Sequence, residues 1–200
     1  MTFAVGPVDK GIEALLGPEC EIASQYEGLR LRQFCSGRNL ARTLLASLGG
    51  PQCPIGRAPS GAPLWPEGYT GSISHSADQV AAIVARSSDY WAVGLDIERV
   101  GAIAQDIWQL LFTEAECEFL AKHDTLTTAF FAIKEAFMKL PSPRPELFQD
   151  YRDIEVRYRG NRFTLHGANT DLRRHTGCPF LTATVRPYSN FVVATIAIES

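Results

Sequence analysis

Between Glu27 and Glu67 the chain contains no aspartate or glutamate. The same stretch carries Arg30, Arg32, Arg38, Arg42 and Arg57. In a chain of net charge −3, a one-signed segment marks either a local anion site or a solvated basic face. Overall basicity is absent, which excludes bulk nucleic-acid binding as an expectation. Paired cysteine spacing is missing as well. Cys20, Cys35, Cys53, Cys117 and Cys178 are scattered, with no Cys-x-x-Cys. An odd set without metal-ligand spacing suits a reducing compartment better than a disulfide framework. Long apolar runs are lacking too. VAAIVA and FVVATIAI are far too short to span a bilayer. The first residues, MTFAVGPVDKGIEALLG, have no basic region before an apolar core, so no signal peptide is expected. These absences predict a soluble, cytoplasmic protein with no membrane and no nucleic-acid partner.

The chain has 200 residues, 46% of them hydrophobic, enough for one large domain or two small lobes. In LRLRQFCSGRNLARTLLASLGG, Ala41, Leu44, Leu45 and Leu48 recur at helical spacing. Gly49, Gly50 and Pro51 stop that helix. Arg38 and Arg42 stand four apart and share one side, and Gly37 allows a close approach. A loop rich in proline and glycine follows, pinned by Trp65. GSISHS, QVAAIVAR and YWAVGLDIE read as three strands of a meander. LFTEAECEFLAKH opens with a capping box of Thr113 and Glu116. A second helix, TAFFAIKEAFMKL, ends at Pro141. IEVRYRGNRFTLH predicts a hairpin turning at Gly160 and Asn161, and FLTATV and NFVVATIAIE alternate as half-buried strands. Helix followed by antiparallel strands recurs in each half. That recurrence is compatible with an α+β fold of two similar lobes, residues 1–100 and 101–200.

GLDIE carries the chemistry. Residues two apart on a strand face the same way, roughly 6.5 Å apart. Asp96 and Glu98 therefore project together, while Ile97 enters the core. Two unneutralised carboxylates repel. Either a nearby arginine or a divalent cation resolves that, and hard oxygen ligands suit Mg²⁺. On the wheel of FFAIKEAFMKL, Phe130, Ile133, Phe137 and Leu140 form an apolar face, widened by Phe131 and Met138. Glu135 and Lys139 share its margin. Lys134 falls inside the apolar arc, where its ammonium must reach an anion.

GLDIE together with FFAIKEAFMK resembles the paired signature of 4′-phosphopantetheinyl transferases, approximately (V/I)-G-(I/V)-D-x-E and then (F/W)-x-x-K-E-(A/S)-x-x-K. APLWPEGYTGSISHS is similar to the upstream segment of the larger, monomeric class, and LWPEG with GSISH is most like its siderophore-synthesis, enterobactin-type branch. The likeness runs over approximately residues 30 to 140. Leu95 and Ala136 depart from the usual residues, but neither supplies a ligand.

The resemblance implies two α+β lobes related by a pseudo-twofold, with coenzyme A between them. It implies transfer of the phosphopantetheine arm to a serine of an apo acyl or peptidyl carrier protein. Asp96, Glu98 and Glu135 are then ligands of Mg²⁺, or of Mn²⁺ in its place. Glu135 is the proton acceptor and Lys139 the pyrophosphate partner, supported by Lys134. His75 contacts the 3′-phosphate and Ser74 adds a hydroxyl. Arg38, Arg42 and Arg57 are the candidates for the 3′-phosphate and adenine end. A monomer suffices, and VGAIAQDIWQLLF is a candidate carrier-docking surface. Two other classes stay compatible with the acids: a Mg²⁺-dependent nucleotide or pyrophosphate hydrolase, and a non-catalytic module that binds coenzyme A or carriers.

Overall fold

The computed structural model describes residues 1–140, 150–168 and 172–200. The first half comprises β1 (Thr2–Pro7), α1 (Pro18–Ala23), α2 (Gly28–Ser47), β2 (Gly56–Arg57), β3 (Pro63–Leu64), β4 (Tyr69–Ser76), β5 (Gln79–Arg86) and β6 (Tyr90–Arg99). The second comprises α3 (Trp108–Leu111), α4 (Glu114–Leu120), α5 (Thr127–Met138), β7 (Ile154–Arg159), β8 (Arg162–Gly167), α6 (Leu172–Thr176), β9 (Leu181–Tyr188) and β10 (Phe191–Glu199). This is an α+β fold in which the long helix α2 packs on β5 and the long helix α5 packs on β6 and β10. The expected stop of the second helix at Pro141 lies outside the described residues.

The strands make two main sheets, ordered β1-β5-β4 and β6-β10-β9-β8-β7. The expected meander is therefore corrected. β4 and β5 form a hairpin, but β6 pairs with β10 along its length, from Arg99 opposite Phe191 to Tyr90 opposite Glu199. The reason lies in β5, whose second edge is taken by β1. A division by sheets thus falls between β5 and β6, earlier than residue 100.

β5 is apolar on both faces. Ala82 and Val84 pack with Ala41, Leu44 and Leu45 of α2. Ala81, Ile83 and Ala85 pack with Val93, Leu95 and Ile97 of β6. That double burial explains a continuous apolar run where a half-exposed strand would alternate. The suspected close approach at Gly37 is present, since a Cβ there would lie 2.9 Å from the Ile73 side chain on β4. α5 buries Phe130, Ile133 and Phe137 against Ala194, Ile196 and Ile198 of β10, while Met138 stays exposed. The β7–β8 turn places Gly160 and Asn161 at positive φ, the two-residue hairpin geometry that matches strand twist. Among the described residues no helix is long and apolar enough to cross a membrane. None of the five cysteines is paired.

Candidate active site

β6 alternates as the motif requires. Val93, Leu95 and Ile97 face the first sheet. Gly94, Asp96 and Glu98 take the opposite parity and face α5. Gly94 is where that helix comes closest, because a Cβ at 94 would overlap the Ala136 carbonyl. Only glycine permits this approach, which brings the next turn of α5 over Asp96.

Beside β6 stands β4, joined to it by side chains. Ser72, Ser74 and Ser76 alternate onto one face. Their hydroxyls donate to the Leu95 carbonyl, to Asp96 Oδ1 at 2.7 Å and to Glu98 Oε2 at 3.1 Å. Of these serines only Ser74 was expected to matter. The period-two repeat in GSISHS is the signal that carries the other two.

Asp96 is 1% exposed. Its Oδ1 accepts from Ser74 and, at 2.5 Å, from Lys139 Nζ. Lys139 also donates to Ser74 Oγ at 2.9 Å and lies 3.8 Å from Glu135 Oε2. A strand acid, a strand serine, Glu135 of α5 and the C-cap Lys139 of that helix, the last two 39 and 43 positions beyond the acid, therefore meet at one point. Burial raises the Asp96 carboxyl above the ordinary carboxylate value, and Lys139 opposes the shift. Burial, reinforced by the charge of Asp96, pushes Glu98 up to about 7. Burial thus disfavours the charged form of both carboxyls, and Lys139 partly offsets this.

Among the described residues Asp96 Oδ2 is buried with no hydrogen-bond partner, which is costly unless something cationic or protic reaches it. An all-oxygen carboxylate set with an unspent oxygen fits a hard divalent ion such as Mg²⁺. Asp96, Glu98 and Glu135 are the residues that could hold it. Among the described residues no three potential ligands are already gathered as a metal cage. The Lys139 ammonium is the cation between Asp96 and Glu135 here.

Lys134 goes elsewhere. It is 1% exposed and donates to Glu116 Oε2 at 2.7 Å, the Tyr151 carbonyl at 2.8 Å and the Ile154 carbonyl at 2.7 Å. All three ammonium protons are spent inside the lobe, so the expected phosphate contact is corrected to an internal ion pair. Burial presses the ammonium below its ordinary value and Glu116 partly offsets that. Glu116 keeps its capping box with Thr113 and also accepts from the Val156 amide. Tyr151, which nothing in the local pattern singled out, donates its hydroxyl to Glu135 Oε1. Burial, then Glu135, raises the phenol well above its ordinary value, keeping it a donor.

The arginines divide. Arg42 pairs with buried Glu19 at 2.5 Å and donates to the Ala14 carbonyl. Glu19 also accepts the Ile55 and Leu16 amides. Arg42 is therefore a buried strut, not an open anion ligand. Arg38 stacks on Phe34 at 4.6 Å and donates to the Ile55 and Gly56 carbonyls. Burial draws it down to about 10. Its expected anion role narrows to whatever one remaining nitrogen can offer. Arg57 remains at the surface, donating to Tyr26 Oη at 2.7 Å. Arg30, left out of the expected set, lies over the Tyr26 ring at 4.9 Å and touches His75 Nε2. Burial, with Arg30 and Lys139 nearby, pulls His75 down to about 4. Arg30 and Lys139 thus stand beside a His75 ring held in its neutral form, and an anion lying between them would favour the charged ring.

The chain matches a model of the 4′-phosphopantetheinyl transferase N-terminal domain over residues 21–85 and one of the 4′-phosphopantetheinyl transferase superfamily over residues 92–195. It is 34% identical over 132 residues to 4′-phosphopantetheinyl transferase Npt of Nocardia iowensis, covering 64% of this chain and 60% of that one. It is 29% identical over 154 residues to 4′-phosphopantetheinyl transferase Svp of Streptomyces mobaraensis, covering 74% and 63%. The chain thus spans about six tenths of the length of these curated relatives. The crystal structure of Thermotoga maritima holo-acyl-carrier-protein synthase (AcpS) overlaps 55% of this chain and 63% of its own, with a TM-score of 0.43 and 18% identity. The superfamily model alone spans more than half the sequence, and the chain belongs to the 4′-phosphopantetheinyl transferase superfamily.

Proposed function

We propose that this protein transfers the 4′-phosphopantetheine arm of coenzyme A to a serine of an apo carrier protein, releasing adenosine 3′,5′-bisphosphate. One observation carries the reading. Asp96, Glu135, Lys139 and Ser74, from three separated elements, converge beside His75 and the Arg30 guanidinium that touches it. An acidic centre next to an arginine, a lysine and a histidine that an anion would charge suits displacement at a phosphoryl centre, where catalysis is mostly positioning and charge stabilisation.

In this reading Arg30 and His75 hold the 3′-phosphate. Arg57 and Tyr26 cover the adenine end, the guanidinium and ring together offering a stacking surface. Lys139 pairs with the pyrophosphate. Glu135 accepts the proton of the carrier serine as its oxygen bonds to the β-phosphorus. The bond from that phosphorus to the bridging oxygen breaks, and the charge leaves on the bisphosphate. Asp96, Glu98 and Glu135 would hold Mg²⁺, which supplies charge neutralisation for the pyrophosphate.

Docking of the carrier falls on the segment after β6. Val100, Ile107 and Leu110 are exposed there, whereas Trp108 and Phe112 of the same segment are core. Five unpaired cysteines suit the reducing, cytoplasmic setting. LWPEG and GSISH support the siderophore-synthesis branch.

The test is mass spectrometry of a panel of apo carriers after incubation with coenzyme A and Mg²⁺. A phosphopantetheine adduct on serine is expected, lost with Asp96→Ala by more than the roughly 10–100-fold that outer partners of a metal cost. Bisphosphate released equally without any carrier would mean hydrolysis and overturn the transfer reading.

A further inference from the structure

We propose that Tyr151 is a positioning residue for Glu135, tying down one carboxylate oxygen so that the other faces Asp96 and Lys139; this rests on the metal reading above. The two oxygens of Glu135 have different partners. Oε1 accepts from the Tyr151 hydroxyl. Oε2 lies 3.8 Å from Lys139 Nζ, which itself holds Asp96 Oδ1 at 2.5 Å. A half-buried glutamate has several staggered rotamers open to it. A fixed donor on one oxygen selects the rotamer that turns the other toward the acidic centre.

Tyr151 can act as a fixed donor because it is itself held at three places. Its ring packs against Phe131 of α5, with centroids 5.8 Å apart. Its carbonyl accepts from Lys134 at 2.8 Å. Asp150 caps the 3-10 turn Tyr151–Asp153 that carries it. Lys134 is in turn fixed by Glu116, which also takes the Val156 amide. The adjacent residues Lys134 and Glu135 therefore grip the same segment in two ways. The lysine, pointing inward, holds its backbone. The glutamate, about 100° round the helix, meets its side chain. This gives the first lysine of the motif a purpose that needs no phosphate. Partners of this outer kind set ligand orientation and typically change metal affinity or activity by about 10–100-fold.

The test uses Mn²⁺ alone, titrated into the full chain and followed by loss of the free-ion EPR signal. Tyr151→Phe keeps the ring and removes only the hydroxyl. Its expected effect is a rise of about 10–100-fold in the Mn²⁺ dissociation constant, with amide hydrogen exchange of α5 and β7 unchanged. Equal Mn²⁺ affinity in Tyr151→Phe and wild type would overturn the positioning role and leave the metal reading intact. Weaker binding accompanied by faster exchange throughout α5 and β7 would make Tyr151 a fold residue and overturn the role as well. A wild-type chain that fails to bind Mn²⁺ would bring down the metal reading and this inference together.

Discussion

Gly94 of β6 lies directly under the Ala136 carbonyl of α5, with no room for a Cβ between them. That contact sets the height of the helix above the strand, and with it the reach of Glu135 and Lys139 to Asp96. Gly94→Ala must lift α5 or bend β6. Overpacking of this kind costs about 1–3 kcal/mol. Displacing positioned groups by about 1 Å can cost on the order of 10²-fold in rate. We expect a modest fall in urea stability and a much larger fall in transfer rate. Wild-type activity in Gly94→Ala would show that the height of α5 does not matter.

Glu98 gives the site a pH signature. Its carboxyl stands at about 7 against an ordinary 4.5, so the folded chain holds this proton longer than the unfolded one. The stabilising contribution is therefore complete below about 4.5 and is lost as pH climbs through about 7. Glu98→Gln, which carries no charge, should escape that loss. Melting curves without metal should converge for wild type and variant at low pH and separate above neutrality, with the variant more stable. Mg²⁺ should raise the wild-type melting temperature more at about pH 8 than at about pH 5.5. A metal effect independent of pH would count against Glu98 as a ligand.

His75 has the opposite sign. Its folded value of about 4 lies below the ordinary 6.5. Its contribution is present above 6.5 and disappears as pH falls toward 4. An anion between Arg30 and Lys139 would favour the charged ring and move its titration upward. NMR titration of the His75 ring with adenosine 3′,5′-bisphosphate should show that rise, whereas the 5′-monophosphate should produce a smaller one. His75→Ala should impair coenzyme A more than its 3′-dephospho analogue. Equal losses would remove His75 from the 3′-phosphate.

Lys134 and Glu116 form an ion pair at 2.7 Å, each 1% exposed. Deleting one partner of such a pair typically costs about 3–5 kcal/mol, because the other charge is left buried alone. Lys134→Met and Glu116→Gln should each show that loss in urea melts. Full stability in Lys134→Met, with only a raised KM for coenzyme A, would return the lysine to the phosphate.

Local spacing made much of this legible. Period two put Asp96 and Glu98 on one face of β6 and Ile97 on the other. Period 3.6 put Glu135 and Lys139 on one margin of α5 and Lys134 inside its apolar arc. The capping box of Thr113 and Glu116, the stop at Gly49 and the turn at Gly160 and Asn161 were readable for the same reason. In each case the relevant geometry spans a few residues and is imposed by the backbone itself.

Partners across the fold were another matter. That Lys134 must find an anion follows from its place on the helix; that the anion is Glu116 follows only from how α4 packs. Arg38, Arg42 and Arg30 look alike along the chain. Burial beside Glu19 and the Ile55 carbonyl commits the first two, and exposure beside His75 leaves the third facing the site. β6 left its meander because β1, more than eighty residues earlier, had filled the neighbouring edge of β5. Tyr151 bears no mark of its role at all. A side chain's direction is decided within a few residues of backbone, but its partner is decided by whichever distant element the closed core brings alongside.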